Sequence, residues 1–297
     1  MGTYCEVRAW GEPEVVGPAL DRALDRIARL EQVMTTWSAD GELARLNERL
    51  ASDEKGGVYP VSSDLARALG AARSWAERSG GRFDPTVGSL SRVWSRSHGG
   101  DRPSDSQVAA AVARTGWRGF EVDPSGAWVR TTRPGLRFDL GGIGKGVALD
   151  AAAEVLAEAG IDSALFNFGG QVLATGPPPG QRGWQVEIAD PRRREAVMAT
   201  VFVDRGSVAT SGASERFLRV GGEVRAEIFD PRTGQPRPPA GAVSVVTVSA
   251  TDADALSTAL YGYQGSAGPD FLPPQTQVLW LMPVDPADSP ETRSLEP

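Results

Sequence analysis

The amino-acid sequence predicts an α+β fold built from helices and mostly antiparallel sheets. Helical spacing of apolar residues is concentrated before Gly160, and short strand patterns separated by Gly and Pro dominate after it. Strands and helices do not alternate strictly, which argues against a doubly wound parallel sheet. With 297 residues, 40% of them hydrophobic and 23% charged, the chain is long enough to bury a continuous core.

The individual elements follow from periodicity and from capping signals. The first helix is indicated by apolar residues at steps of three and four from Leu20 to Met34, and another by Ser104 and Gln107, which have the spacing of a capping box. Helices are also predicted over 62–80, 147–159 and 253–261. Strands are predicted over 3–10, 164–168, 171–174, 184–188, 199–203 and 243–249.

Charge and composition exclude several classes of function. The net charge of -7 and the pI near 5.0 argue against a nucleic-acid partner, because phosphate binding requires clustered Lys and Arg. A single cysteine, Cys5, and a single histidine, His98, exclude zinc sites with several thiolates and any site with two imidazoles. A Ser-His-Asp triad would have to use His98, which lies in a predicted surface loop.

The sequence predicts no membrane span, because no apolar run approaches the roughly 20 residues that a bilayer requires. The start of the sequence, Met1-Gly2-Thr3-Tyr4, has neither a basic segment nor an apolar segment of the kind found in secretory signals. These features predict a cytoplasmic location. A longer natural chain would leave an extracytoplasmic location open.

The densest glycine cluster, Asp139 to Gly146, leads into a predicted helix from Val147. It matches neither the P-loop nor the dinucleotide-binding fingerprint. Glycines that let a ligand approach the backbone, the charge of Lys145 and a helix N-terminus still favour an anion site. The alternative is a tight turn with a solvated lysine.

A second candidate site lies in the helix predicted over 253–261, where Asp254 and Thr258 are four residues apart and share one helix face. Carboxylate and hydroxyl oxygens predict Mg²⁺ or Ca²⁺ in preference to zinc or copper. The alternative is that Asp252 or Asp254 caps the helix and Thr258 lies on its surface.

Taken together, the ordered segments resemble those of the ApbE family of FAD:protein FMN transferases over residues 1–262. The segments that carry the resemblance are 1–3, 36–47, 81–88, 139–146, 167–170, 209–212, 228–234 and 254–258. Two of them, Phe83–Gly88 and Phe229–Gly234, share the pattern F-D-P-x-x-G. Chance, a common turn or duplication would each explain this shared pattern.

The resemblance implies a fold of two interleaved lobes with FAD in the cleft between them. It assigns residues 1–262 to a flavin transferase domain, which is followed by a C-terminal strand region (263–284). A disordered tail is predicted over 285–297, because this segment is Pro-rich and acidic and lacks apolar spacing. It further implies FAD contacts at Met1, Trp37, Arg82, Phe83, Asp84, Asp139, Lys145 and Ile228. Trp37 replaces the tyrosine usual in the family, and an indole stacks on a flavin or adenine ring at least as well.

By the same resemblance, Mg²⁺ is held by the backbone carbonyl of Gly142 and the side chains of Asp254 and Thr258. The implied reaction is transfer of FMN from FAD to a Thr or Ser hydroxyl of an acceptor protein, with release of AMP. The chain departs from the family at Glu227, where active members carry a histidine thought to accept the hydroxyl proton. A carboxylate is a weaker base than imidazole unless burial raises its pKa. FAD hydrolysis to FMN and AMP, and FAD binding without turnover, are therefore the alternatives.

Overall fold

The computed structural model describes residues 3–53, 55–212, 217–239, 241–263, 269–281 and 292–295. The chain forms two compact units whose segments alternate along the sequence. The first unit comprises residues 1–31, 143–214 and 240–297, and the second comprises residues 32–142 and 215–239.

The helices and strands are as follows. The described residues form the helices α1 (Pro13–Met34), α2 (Glu42–Ala51), α3 (Ser63–Arg78), α4 (Gly88–Arg96), α5 (Asp105–Ala113), α6 (Gly144–Glu158) and α7 (Ala250–Leu260). They form the strands β1 (Cys5–Trp10), β2 (Val58–Pro60), β3 (Phe120–Val122), β4 (Trp128–Thr131), β5 (Ser163–Phe168), β6 (Gln171–Ala174), β7 (Trp184–Asp190), β8 (Arg193–Val203), β9 (Gly206–Gly212), β10 (Phe217–Val220), β11 (Glu223–Ala226), β12 (Ala242–Thr247), β13 (Gln277–Leu281) and β14 (Thr292–Leu295).

The first unit is built on an antiparallel sheet in the order β1-β5-β6-β9-β12-β13-β14. Helices α6 and α7 pack on each other and on the central strands. Ser249 caps α7 by accepting a hydrogen bond from the Asp252 amide at 3.2 Å. The antiparallel hairpin β7–β8 packs its apolar side chains into a cluster with residues of β6, β9 and β13. The sheet and its helices therefore form one core that fixes the position of α7.

The second unit combines helices α2 to α5 with two small antiparallel sheets, β2-β4-β3 and β10-β11. Trp94 of α4 is fully buried among apolar residues of α5 and β10, and its indole Nε1 donates to the Gly234 carbonyl at 2.8 Å. Gly221 and Gly222 turn the β10–β11 hairpin with φ of 58° and 79°, values that favour glycine. This packing ties the segment 217–239 to the helices of its own unit.

The predicted α+β class with antiparallel sheets is confirmed, and most predicted elements are present with shifted ends. The capping box at Ser104 and Gln107 is present. Helix α6 begins at Gly144 instead of Val147, so Lys145 and Gly146 lie in its first turn. Sequence reasoning missed helix α2, helix α4, which opens on a glycine, strand β9 and the short strands of the second unit.

The predicted disordered tail is corrected at Thr292–Leu295, which form β14 and pair with β13. The rest of the predicted tail, 285–291 and 296–297, lies outside the described residues. Within the described part of the chain, none of the helices combines the length and hydrophobicity needed to cross a bilayer.

Candidate functional site

The first unit contains a buried charged centre at Asp254, the side chain of which is 5% exposed. Lys145 Nζ lies 3.2 Å from Asp254 Oδ1, and the Gly146 amide donates to Oδ2 at 3.0 Å. Both donors come from the first turn of α6, whose amides lack partners within the helix. The centre thus joins the glycine segment to α7, and the alternative of a merely solvated Lys145 is wrong.

Two contacts hold helices α6 and α7 in the relative position that brings Lys145 and Gly146 to Asp254. A methyl group on Gly146 would lie 2.2 Å from the Ala250 carbonyl oxygen, so only glycine permits this approach. One turn further along α6, the carboxylate of Asp150 accepts hydrogen bonds from the Ser249 hydroxyl at 2.8 Å and from the Ala250 and Thr251 amides at 2.8 and 2.9 Å. Asp150 therefore caps α7 from outside that helix.

The donor set at this centre fits a hard cation held together with a substrate phosphate. Thr258 lies one turn after Asp254 on α7 and is half-buried. The N-cap of α7 is Ser249, so neither Asp252 nor Asp254 has the capping role that was the alternative. Within the described residues no cluster of three acidic, His or Cys side chains is present. Mg²⁺ commonly binds through one or two carboxylates plus substrate phosphates, and a single buried carboxylate suits that mode. Gly142 belongs to the second unit, and its carbonyl stays a predicted ligand.

In the second unit, Asp139 connects the glycine segment to α4. Its Oδ2 accepts from the Ser91 hydroxyl at 2.7 Å, and its Oδ1 accepts from the Gly141 amide at 2.8 Å. The Asp139 amide donates to the Pro85 carbonyl at 2.7 Å. The structure therefore brings together two predicted FAD segments, Asp139 and the turn that contains Pro85.

That turn, Phe83–Gly88, is organised by the buried carboxylate of Asp84, which is 7% exposed. Asp84 Oδ1 accepts from the Thr86 amide and hydroxyl at 2.8 and 2.5 Å, and Oδ2 accepts from the Trp117 amide at 3.0 Å. Burial raises the pKa of Asp84 above its usual range, against these hydrogen bonds and the charge of Arg133. Both carboxylate oxygens of Asp84 are thus engaged within the unit.

The second F-D-P-x-x-G segment, Phe229–Gly234, forms the same local turn. Asp230 Oδ1 accepts from the Arg232 amide at 2.9 Å, as Asp84 accepts from Thr86 two residues on. Partial burial acts to raise the pKa of Asp230, but the Arg232 amide and the charges of Arg237 and Arg232 hold it below its usual range. Of the three explanations for the shared F-D-P-x-x-G pattern, these contacts support a common turn.

The other predicted FAD residues differ in accessibility. The Trp37 indole, in the turn between α1 and α2, is 81% exposed and free to stack on a ring. Phe83 is 3% exposed, so its ring belongs to the core of the second unit. Arg82 and Ile228 are half-buried, and Met1 lies outside the described residues.

Glu227 directly follows β11 and is half-buried. The next residue, Ile228, is fixed by the Arg237 amide, which donates to the Ile228 carbonyl at 2.7 Å. His98 lies in an exposed turn after α4, where its Nδ1 accepts from the Arg219 amide at 3.3 Å, as expected for a surface loop.

Three polar residues at these sites were missed by sequence reasoning: Asp150, Ser91 and Thr86. Ser91 and Thr86 are small hydroxyl residues, and nothing in the sequence pattern indicates their hydrogen bonds to Asp139 and Asp84. Asp150 contacts residues that follow it by about a hundred positions. The sequence signal that could have identified Asp150 is an acidic residue within an otherwise apolar stretch of α6.

The comparisons with known proteins place this chain in a family. The model of the ApbE family matches residues 1–280. A protein from Rhodobacter capsulatus named "FAD:protein FMN transferase" is 36% identical over 266 residues, which are 88% of this chain and 49% of that protein. One of the same name from Treponema pallidum is 33% identical over 288 residues, 90% of this chain and 78% of that protein.

The solved structures agree with this assignment. The ApbE protein from Thermotoga maritima has a TM-score of 0.80 and 27% identity, covering 95% of this chain and 91% of that one. The flavin transferase ApbE from Vibrio cholerae, with a TM-score of 0.78 and 23% identity over 99% of this chain and 94% of that one, shows the same fold. The chain spans about half the length of the Rhodobacter relative and three quarters or more of the Treponema one. By family match, identity and fold, the chain belongs to the ApbE family.

Proposed function

We propose that this protein transfers the FMN moiety of FAD to a Thr or Ser hydroxyl of an acceptor protein and releases AMP. The observation that carries the proposal is the Asp254 centre, where a buried carboxylate, the Lys145 ammonium and the Gly146 amide converge. Such a centre suits the pyrophosphate of a dinucleotide and its counter-ion. The names of the family relatives supply the reaction.

In the proposed step, the acceptor oxygen attacks the phosphorus of the FMN half. The bond from that phosphorus to the bridging oxygen breaks, and the bridging oxygen leaves with AMP. Lys145 stabilises the charge that develops on the phosphates, with donors already fixed before reaction. Glu227 takes the proton from the hydroxyl, acting as a base in place of the family histidine.

Mg²⁺ is proposed to bind to Asp254, Thr258 and the Gly142 carbonyl, where it would supply Lewis-acid stabilisation of the phosphate oxygens. The contacts of Asp254 with Lys145 and Gly146 orient its carboxylate for this role, and Asp150 holds the helix that bears it.

FAD is proposed to bind with Trp37 stacking on a ring and with Arg82 and Ile228 near it. Phe83 and Asp84 would shape this region from within the core of the second unit, since the ring is buried and the carboxylate is fully engaged. Asp139 would orient the glycine segment for FAD, because its carboxylate accepts hydrogen bonds from the Gly141 amide and the Ser91 hydroxyl.

The test is AMP release from FAD with Mg²⁺, with and without an acceptor protein that carries a Thr flavinylation site. FMN transfer predicts AMP only when the acceptor is present. AMP without acceptor would indicate FAD hydrolysis, and FAD binding without AMP would indicate a flavin-binding protein; either result contradicts the proposal.

Variants of Glu227 assign its role within the same assay. Glu227→Gln should lower transfer while FAD affinity is retained, and Glu227→His should raise it, since a general base contributes about a hundredfold or more. Equal rates in all three proteins would remove Glu227 from the reaction and leave positioning and charge as the catalytic factors.

A further inference from the structure

A cluster of arginines lies on the second unit, and none of the residues implied for FAD or Mg²⁺ belongs to it. It consists of Arg92 and Arg96 on α4, Arg114 at the end of α5, and Arg137; we call it the arginine patch. Residues 92 and 96 are four apart on one helix, so their side chains lie on the same face. The acidic side chain that faces this group is Glu48, which pairs with Arg137 at 3.0 Å.

The arginine patch is short of counter-charge. Arg92, Arg96 and Arg114 are exposed, and in the described ranges no carboxylate lies within ion-pair distance of any of them. Arg137 Nη1 is buried without a hydrogen-bond partner. Other arginines of this unit do have a carboxylate partner, as Arg237 has in Asp230 at 3.2 Å and Arg225 has in Glu223.

The positive charges of the patch repel one another. Partial desolvation and then the like charges of Arg96, Arg137 and Arg114 lower the pKa of Arg92, while Glu48 opposes them. The protein carries a net charge of -7, so this local excess of positive charge is opposite in sign to the charge of the chain as a whole. An anion that docked there would relieve the repulsion and would satisfy the guanidinium donors, which match carboxylates in a bidentate geometry.

The patch also adjoins a segment implied in FAD binding. Ser91, which precedes Arg92, donates to Asp139 at 2.7 Å, and Arg137 is two residues before Asp139. A molecule seated on the patch would therefore lie beside the segment where the flavin is proposed to bind.

We propose that the arginine patch docks an acidic segment of the acceptor protein and so places its hydroxyl near FAD. This inference rests on the proposed function, because it names how the acceptor of that reaction is recognised. A protein segment is favoured over nucleic acid because a few carboxylates match the patch, whereas a long phosphate backbone would meet the negative charge of the remaining surface. The patch would act chiefly on acceptor affinity and association rate.

Binding of peptides tests the inference without requiring transfer. The probes are two fluorescent peptides with a central Thr, one flanked by four Asp residues and one in which these are Asn. The Asp peptide should bind more tightly at low salt and weaken as salt is raised. The double variant Arg92→Glu, Arg96→Glu should weaken its binding by at least about tenfold, and the corresponding Gln variant by less. Arg22→Glu, a reversal on an exposed residue of α1, is the matched control and should change nothing.

The remaining outcomes decide against the inference. Equal binding of the two peptides, or equal loss in the Arg22 control, would overturn it. An equal loss of FAD affinity in the double variant would assign the patch to the dinucleotide instead. Binding of single-stranded oligonucleotides or anionic lipid vesicles that exceeds binding of the Asp peptide would assign it to phosphates. Because peptide binding is measured without FAD, absence of FMN transfer alone would count against the proposed function and not against the patch.

Discussion

Asp254 and Asp84 are both buried carboxylates in segments implied by family resemblance, yet their surroundings differ. The partners of Asp254 are an ammonium group, Lys145, and one amide, and they come from another helix. The partners of Asp84 are neutral amide and hydroxyl groups of its own turn and of Trp117. Burial alone therefore does not identify a cation ligand, because a carboxylate saturated by neutral donors holds the chain in place.

The largest expected effect concerns Asp254. Asp254→Asn keeps the size of the side chain but removes the anionic ligand, and FMN transfer should fall by about a hundredfold or more, since a metal stabilises the transition state by several kcal/mol. Steady-state transfer at saturating FAD, titrated with Mg²⁺, measures this. A variant with wild-type Mg²⁺ dependence would show that Asp254 is structural, as Asp84 is.

The next effect concerns the stability of the Asp84 turn. Asp84→Ala leaves the Thr86 and Trp117 amides without their acceptor, and the free energy of unfolding should fall by about 1–3 kcal/mol. Urea denaturation measures it, with the exposed Asp21→Ala as the control. If unfolding is unchanged while transfer is lost, Asp84 acts on the substrate and the contrast with Asp254 fails.

A smaller effect is expected at Asp150, which positions α7 without touching the reacting groups. Asp150→Asn weakens the cap on α7, and the Mg²⁺ concentration for half-maximal transfer should rise by about tenfold, as for other residues that orient a metal ligand. Glu158→Gln, an exposed residue of the same helix, is the control. A loss of stability without any shift in the Mg²⁺ titration would limit Asp150 to a structural role.

The smallest effect compares the two turns with the same pattern. The pKa of Asp84 is raised, so its contribution to stability is present below its unfolded-state pKa and is lost as pH rises through the folded value. The pKa of Asp230 is lowered, so its contribution is present above the unfolded-state value and is lost as pH falls through the folded one. Urea denaturation from about pH 3 to about pH 6 gives the free energy of unfolding of wild type, Asp84→Asn and Asp230→Asn. The difference between wild type and Asp84→Asn should change with pH in the opposite direction to the difference between wild type and Asp230→Asn. Parallel changes would contradict these pKa directions.

The same contrast shows what the sequence could and could not predict. Apolar spacing located α3, helix-forming composition before Gly160 located α6, and the four-residue step placed Asp254 and Thr258 on one helix, because these signals are local. The start of α6 was misplaced because Gly144 and Gly146 are poor helix formers, and the close approach of Gly146 to Ala250 comes only from the fold. The hydrogen bonds of Asp150 and the bond from the Trp117 amide to Asp84 join distant segments, so no spacing in the sequence could indicate them.

The central claim is tested most directly by the mass of the acceptor after one reaction with FAD and Mg²⁺. The account predicts that the acceptor gains the mass of one FMN residue on a Thr or Ser, and that one AMP appears for each flavin attached. An acceptor of unchanged mass, with AMP and free FMN formed in equal amounts, would contradict it.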